Sequence, residues 1–583
     1  MSLTMPSLSP SLSQNAMVVL KRRYLRKDGD GAVIETPEML LERVSENVAS
    51  VDHLYDDRDA ELEIKEFLEV MKELRFLPNS PTLMNAGTAL QQLAACFVVP
   101  VEDSIEGIFD ALKWAAIIHQ SGGGTGFSFS RLRPSGDVVA STSGQASGPL
   151  SFMKVFDVAT EAVRQGGRRR GASMGVLRVD HPDILQFIHS KDDKQTMSNF
   201  NISVGITDEF MAAVESDDTV VLRNPRGGAK AGEMRARRLL EEICDSAWRT
   251  GDPGVLFLDT IERANPTPNM GTIESTNPCG EVPLLPFEAC NLGSINLVKM
   301  YDDVSGGIDW ELLGDTISTA IRFLDNVIDA SKYPLPQIDE VVKGNRKVGL
   351  GVMGFADLLL LNNERYGSRE SLDTASRLMS FMMDRAKEES ASIGSSRGSF
   401  PNIDGSNLTV PMRNATVLSI APTGTISMIA GCSSGIEPNF AFYMARHVLD
   451  GEELVDINHV FLDRIKAEGL DIDLVLKEMS KGTSLSEVPG IPDAMLEVFV
   501  TAHDIDPLLQ VEMQARFQEH VDNGVSKTIN LPRSSTPDDV ADVFTDAYRR
   551  GCKGITVYRE GSKPGQVLTA VDGKVGCFMC GKI

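Results

Sequence analysis

Leu40, Val44 and Val48 recur at i, i+4 and i+8 behind Thr36-Pro37-Glu38. That head supplies an N-cap, a proline suited to the first helical turn and an early acid, so a helix is predicted there. Ile64, Phe67, Leu68, Met71 and Leu74 give a second amphipathic face. Residues 16–95 therefore read as a mainly helical region. From Cys96 onward the period changes, and short β-branched apolar runs alternate with helical stretches. Val417–Ile420, Lys347–Val352, Thr528–Leu531 and Gly554–Tyr558 read as buried strands. Helical patterns lie near Leu239–Trp248, Asp315–Ala330, Ser371–Ile393 and Asp538–Arg549, the last opened by Thr536-Pro537 and closed at Gly551. This alternation over residues 96–563 predicts an α/β architecture, without distinguishing an open sheet from a barrel. Residues 1–15, rich in Ser and Pro, read as a disordered lead, and residues 564–583 as a flexible tail.

Composition narrows the class. A chain of 583 residues exceeds what one core usually supports. Its 42% hydrophobic and 24% charged residues are ordinary for a soluble globular protein. No run of apolar residues is long enough to span a membrane, and the start lacks the basic and apolar regions of a signal peptide, so a cytoplasmic protein is expected. The net charge of −25 repels nucleic acid and anionic membranes. It repels a free nucleotide at long range as well, so any phosphate must be bound locally. Eight cysteines are too few for a disulfide scaffold and suit a reducing compartment.

Thiol chemistry concentrates in Asn277-Pro278-Cys279-Gly280-Glu281, with Cys290 beyond it. Proline before and glycine after a cysteine predict a tight, non-helical turn that holds the sulfur at a loop tip. Asn277 can donate and accept hydrogen bonds there, and Glu281 can act as a base. A small buried cysteine in a Pro/Gly-rich loop is the plain alternative. Ala421–Ser427 follows a predicted strand and carries a glycine and three hydroxyls that can turn N–H groups towards phosphate. No Lys follows, so it is not a P-loop. Ser121–Gly126 has the wrong spacing for a dinucleotide fingerprint and is not read as one. None of the eight histidines falls in a metal-ligand spacing, and no protein-held metal site is expected.

Four stretches together resemble ribonucleotide reductases: Phe76–Thr88, Ala95–Ile105, Asn277–Asn296 and Ala421–Ser427, in the family's order. The match is nearest to class II, the adenosylcobalamin-dependent branch. It implies a ten-stranded α/β barrel with the Cys279 loop threaded through its centre. Cys279 would carry a thiyl radical, Cys96 and Cys290 would be the pair that oxidises, Glu281 the base, and Asn277 a partner for the substrate hydroxyls. Ser80, Ala95, Pro422, Thr423, Gly424 and Thr425 would cradle the substrate's phosphates, with Mg2+ accompanying bound nucleotides as an option. Asp103, Ser104, Ile105 and Arg133 would contact a deoxynucleotide or ATP effector. Gln165 and Arg169, in the basic run Arg164–Arg170, would report its identity to the substrate, in a homodimer. As a charge run alone, that segment reads as a solvated loop. Cys577 and Cys580 would shuttle electrons from a thioredoxin-like or other dithiol reductant; half of a zinc knuckle is the competing reading. Cys244, Cys432 and Cys552 match no catalytic position. The family's ATP-binding activity cone is not expected ahead of residue 16. A class I large subunit needing a radical-generating partner, and a regulatory nucleotide-binding scaffold without chemistry, are the other two readings.

Overall fold

Thr36 caps the first long helix, Pro37–Ala49, by accepting the Met39 N–H at 3.2 Å. Leu40, Val44 and Val48 are buried on one face, as their spacing requires. The second face becomes helix Ala60–Lys72. Both helices pack on Trp310–Ala330, where Phe323 meets the edges of Phe67 and Phe76 at 5.0 and 5.4 Å between centroids. The guanidinium carbons of Arg397 and Arg413 lie 4.6 and 5.0 Å from the centroid of the Tyr55 ring, which ties the same region to the end of helix Arg369–Arg397 and the segment after it. A further helix, Gln14–Val19, starts from a Ser13 cap that accepts the Ala16 N–H at 3.1 Å. The computed structural model describes residues 12–55, 59–139, 143–165, 169–193, 196–448, 452–481, 483–563, 568–569 and 576–577.

The barrel is two parallel half-barrels set antiparallel to one another. Strands Cys96–Val98, Gly124–Ser128, Ser173–Arg178, Phe200–Ile206 and Gly254–Phe257 pair in parallel in that order. Gly254–Phe257 then meets Gly554–Arg559 antiparallel, and Gly554–Arg559 runs parallel to Thr528–Leu531. Parallel bridges Ile420↔Val525 and Leu350↔Leu418 carry the circuit on to Val348–Met353. That strand is parallel to Ala289–Asn296, which closes the ring antiparallel to Cys96–Val98. Ten staves result, one of which, 417–420, pairs only through isolated bridges. Asp522 explains this: its carboxylate takes the Val417 and Leu418 N–H groups, both at 2.8 Å, that a regular ladder would use. Both faces of most staves are buried, one by the outer helices and one by the barrel contents, which is why they read as unbroken apolar runs.

Helix Trp310–Ala330 starts five residues before its apolar pattern does, from an Asp309 cap on Leu312. Gly314 sits in that first stretch and hides the period, because the Arg385 side chain occupies the space of a side chain there. Of the tail, Leu568–Thr569 pairs with Ala445–Arg446 and with Gly576–Cys577; the Cys577 side chain and all of Cys580 lie outside the described residues. Among the described residues no helix is long and apolar enough to cross a membrane.

Candidate active site

The segment through the barrel centre begins as a two-residue ladder, Ser275–Thr276 against Pro283–Leu284. Asn277 closes its tip. The Asn277 carbonyl accepts the Gly280 N–H at 3.1 Å, and Asn277 Oδ1 accepts the Val282 N–H at 3.0 Å. Gly280 has φ of +81°, a left-handed conformation that strains any residue with a side chain, which accounts for the glycine after Cys279. Two staves and the segment leading into a third grip the tip. Asn201 Nδ2 donates to the Pro278 carbonyl at 2.8 Å, while Ser419 Oγ and the Gly524 N–H donate to the Glu281 carbonyl at 3.0 and 2.8 Å. Glycines supply the clearance. A Cβ on Gly126 would stand 1.8 Å from the Thr276 carbonyl oxygen, and one on Gly124 2.9 Å from the Pro278 ring. The glycine-rich segment thus serves close approach of two backbones.

The tip leaves Cys279 exposed to a cavity of about 480 Å³. Cys96 and Cys290 are directly opposed where the two half-barrels meet antiparallel. Opposed residues in such ladders hold their Cβ atoms about 4.5–5.5 Å apart, and a disulfide needs about 3.5–4.5 Å, so a small shift suffices to join them. Asn277 Nδ2 donates to Cys96 Sγ at 3.1 Å, linking the tip to this pair. The Cys290 thiol donates to the Asn291 carbonyl at 3.4 Å. Burial holds that thiol's pKa well above its usual value; the Lys347 ammonium opposes the shift, while Glu288 and Glu281 add to it. Cys290 is therefore protonated at neutral pH, able to give a hydrogen. Lys347 is itself neutralised by Glu288 at 2.7 Å. Glu281 is buried in the wall of the cavity that holds Cys279.

Ser80, Ala95 and Pro422–Thr425 line the same cavity. Thr423 has φ of +56°, costly for a β-branched residue. Its Oγ1 accepts the Gly435 N–H at 2.7 Å and its carbonyl accepts the Ser427 N–H at 2.9 Å. Strain held in place this way is typical of ligand-binding loops. The wall also carries residues that the motifs did not indicate: Arg23, Tyr24, Asn201, and the buried pair Lys527–Glu437 at 2.7 Å. None has a local signature, because Arg23 and Tyr24, Asn201, and the Lys527–Glu437 pair are brought in from separate parts of the chain.

Elsewhere, Arg133 and Asp103 form an ion pair at 2.9 Å, and Ser104 caps helix Ile105–Gln120 through the Gly107 N–H at 3.0 Å, with Ile105 largely exposed. Gln165 and Arg169 are opposed in a short ladder beside that helix; their side chains lie outside the described residues. His119, at the helix's end, is buried against Thr125 Oγ1 at 2.8 Å and packs where a side chain on Gly171 would stand. Burial depresses its pKa from 6.5 to about 4. Between those values the unfolded chain binds a proton that the folded one refuses. Stability contributed here is present above pH 6.5 and falls by roughly 3 kcal/mol as pH drops to 4. Denaturant titrations across that window should show this slope, and His119→Asn should flatten it.

The ribonucleotide reductase barrel domain matches residues 94–411 and 408–558, and the all-alpha domain of the same enzymes matches residues 10–91. A vitamin B12-dependent ribonucleoside-diphosphate reductase of Thermoplasma acidophilum is 48% identical over 96% of this chain and 80% of its own length. One bearing the same name, from Mycobacterium tuberculosis, is 46% identical over 96% of the chain and 81% of its own. In fold, the class Id ribonucleotide reductase alpha subunit of Actinobacillus ureae superposes with a TM-score of 0.77 at 22% identity, over 94% of this chain and 97% of that one. Barrel, threaded loop and near-complete matches agree, and the chain belongs to the ribonucleotide reductase family.

Proposed function

We propose that this protein is a class II enzyme that reduces ribonucleoside diphosphates to 2′-deoxyribonucleoside diphosphates with adenosylcobalamin, in the cytoplasm. The observation that carries the reading is the cavity that contains the exposed Cys279 and the opposed Cys96–Cys290 pair, joined by Asn277. The cavity wall also carries Gly251, Gly254, Ser198, Asn199 and the apolar Met174 and Val255, beside the Lys563–Asp252 ion pair. Glycines and uncharged groups there fit a broad ring system, and these residues would hold it. Adenosylcobalamin supplies, when bound, a one-electron oxidation of the Cys279 thiol.

The chain's own residues do the rest. The Cys279 sulfur takes the ribose 3′-hydrogen, and the Glu281 carboxylate takes the 3′-hydroxyl proton. A thiol of the Cys96–Cys290 pair protonates the departing 2′-hydroxyl, which leaves as water. The pair gives up two electrons and its second hydrogen, which forms the new C2′–H bond, and ends as a disulfide; Glu281 returns its proton to the 3′ oxygen and Cys279 returns its hydrogen to C3′. Asn277 Nδ2, already on Cys96, orients that thiol and the hydroxyls. Phosphates rest on Ser80, Ala95 and Pro422–Thr425, with Mg2+ as their counter-ion. An effector at Asp103–Ile105 and Arg133 acts through Gln165 and Arg169. The exposed apolar Ile105, Phe109 and Ile117 on helix Ile105–Gln120, with Val155 and Val158 on helix Pro149–Ala162, support a homodimer there. Cys577 and Cys580 pass electrons from a dithiol reductant to the buried disulfide. Residues 16–95 form one unit, residues 96–563 the catalytic barrel, and residues 564–583 the tail.

Anaerobic assay of each ribonucleotide with adenosylcobalamin and a dithiol, without any second protein, tests this. Without reductant, about one to two deoxynucleotides per chain are expected, one from the Cys96–Cys290 pair and one from the tail pair, with a Cys96–Cys290 disulfide in the peptide map. Turnover that requires a partner protein, or no cross-link between these two cysteines, would refute the reading.

A further inference from the structure

Strand Phe76–Pro78 lies antiparallel to Ala289–Asn296, with Leu77 opposite Ser294 and Pro78 opposite Gly293. The ladder runs one step further, because the Asn79 N–H donates to the Leu292 carbonyl at 2.8 Å. Asn79 and Ser294 are thereby diagonal neighbours on one face of the ladder. Such neighbours stand about 7–8 Å apart, near enough for a single group between them to touch both. Both residues line the cavity, together with Ser80 and Pro422–Thr425.

Each presents a polar atom that the fold itself does not use. Asn79 Oδ1 accepts the Thr82 N–H at 2.9 Å and the Thr82 hydroxyl at 3.1 Å, capping the short helix Ser80–Asn85. Those bonds fix the orientation of the amide and leave Nδ2 over as a donor. Asn79 Nδ2 and Ser294 Oγ are both buried, and neither has a hydrogen-bond partner among the described residues. Neighbouring polar groups of the wall are engaged. Ser80 Oγ is 2.8 Å from the Tyr24 hydroxyl, Asn201 Nδ2 donates to the Pro278 carbonyl, and Asn277 Nδ2 donates to Cys96 Sγ. A buried donor left unpaired is costly, and native folds keep few of them. Two on one wall of one cavity point to a ligand that pairs them.

The strand also sets which part of a ligand they meet. Ser294 and Cys290 stand on the same strand, four residues or roughly 13 Å apart. A nucleotide whose ribose lies at the cysteine pair therefore extends its phosphorylated end towards Ser294. A terminal phosphate offers several strong acceptor oxygens, enough to take a hydrogen bond from each group. We infer that Asn79 Nδ2 and Ser294 Oγ are specificity groups, which donate to the terminal phosphate of the substrate and favour ribonucleoside diphosphates over monophosphates. The inference rests on the phosphate-site reading given under the proposed function.

Calorimetric titration of the full chain with CDP, CMP and cytidine, with an unfolding scan of each variant, tests it. Ser294→Ala is expected to weaken CDP binding by roughly 10-fold and to leave CMP and cytidine within about twofold. Asn79→Asp keeps the cap on Thr82 but sets a carboxylate oxygen against the phosphate. It should weaken CDP binding by roughly 100-fold and leave cytidine within about twofold. Because the Ser294 hydroxyl is unpaired in the free protein, Ser294→Ala should leave the unfolding midpoint unchanged or raise it; a hydroxyl with a purely structural role would lower it. Thr425→Ala reports on the phosphate site itself. If it weakens CDP binding and neither Asn79→Asp nor Ser294→Ala does, the inference fails and the phosphate site stands. If none of the three does, the phosphate site is misassigned and the inference falls with it. Equal losses for CDP and cytidine in both variants, or a lowered midpoint for Ser294→Ala, also overturn it, since they indicate a disturbed cavity rather than a lost phosphate contact.

Discussion

Cys279→Ser is expected to abolish deoxynucleotide formation while leaving effector and substrate binding intact. The side chain is exposed at the loop tip. Its loop geometry is set by Asn277 and Gly280, whose hydrogen bonds and dihedral do not involve the sulfur. A hydroxyl fits the same space but does not form the oxygen radical under conditions that oxidise a thiol. Removal of a group that itself performs the bond-breaking step costs on the order of 10⁴- to 10⁶-fold in rate. Product formation by stopped-time assay, with effector titration as control, checks both halves. Residual activity within about tenfold of wild type would place the radical elsewhere.

Gly126→Ala should have the second largest effect, by a different route. The new methyl would stand 1.8 Å from the Thr276 carbonyl, backbone against backbone, where neither partner can rotate away. Either the Gly124–Ser128 strand shifts or the threaded loop does. Overpacking of this kind costs about 1–3 kcal/mol in ordinary cores, and more where only backbone faces the intruder. A displacement of about 1 Å at the tip is worth about 100-fold in rate, because Cys279 must reach one particular hydrogen. The expected result is a lowered unfolding midpoint and an activity loss that exceeds what the fraction folded explains. Gly136→Ala is the control: that position is open, although its positive φ imposes a modest backbone cost. If Gly126→Ala folds and turns over like wild type, the loop does not pass where the structure has it.

These expectations bear on how the site is built. Asn277 is held from both ends, by the Val282 amide on one side and the Cys96 sulfur on the other. Asn277→Asp keeps the shape but replaces a donor with an acceptor opposite the sulfur. That would leave the tip turn intact and misorient Cys96. The buried Lys347–Glu288 pair, adjacent to Cys290, is a second lever. Its two members act on the Cys290 thiol in opposite directions, the Lys347 ammonium lowering its pKa and the Glu288 carboxylate raising it.

Much was legible in the chain itself. Helix starts at Thr36 and Thr536 follow from a hydroxyl cap and a proline at the first turn, which act within four residues and do not depend on distant contacts. The Asn277–Glu281 turn is legible for the same reason: proline and glycine restrict or release dihedrals locally. The strands at 348–353, 528–531 and 554–559 were visible as apolar runs because both of their faces are covered. What only the tertiary structure decided is non-local. That 417–420 bridges rather than forms a full strand depends on Asp522, about a hundred residues away. That the glycines at 124 and 126 exist for the loop at 276–278 depends on a threading no local pattern encodes. Arg23 and Tyr24, Asn201 and Lys527 reach one cavity from three separate parts of the chain, so no spacing could have grouped them. Local steric and hydrogen-bonding rules fix turns, caps and faces. Which faces meet, and therefore which side chains share a cavity, is set by ring closure of the barrel.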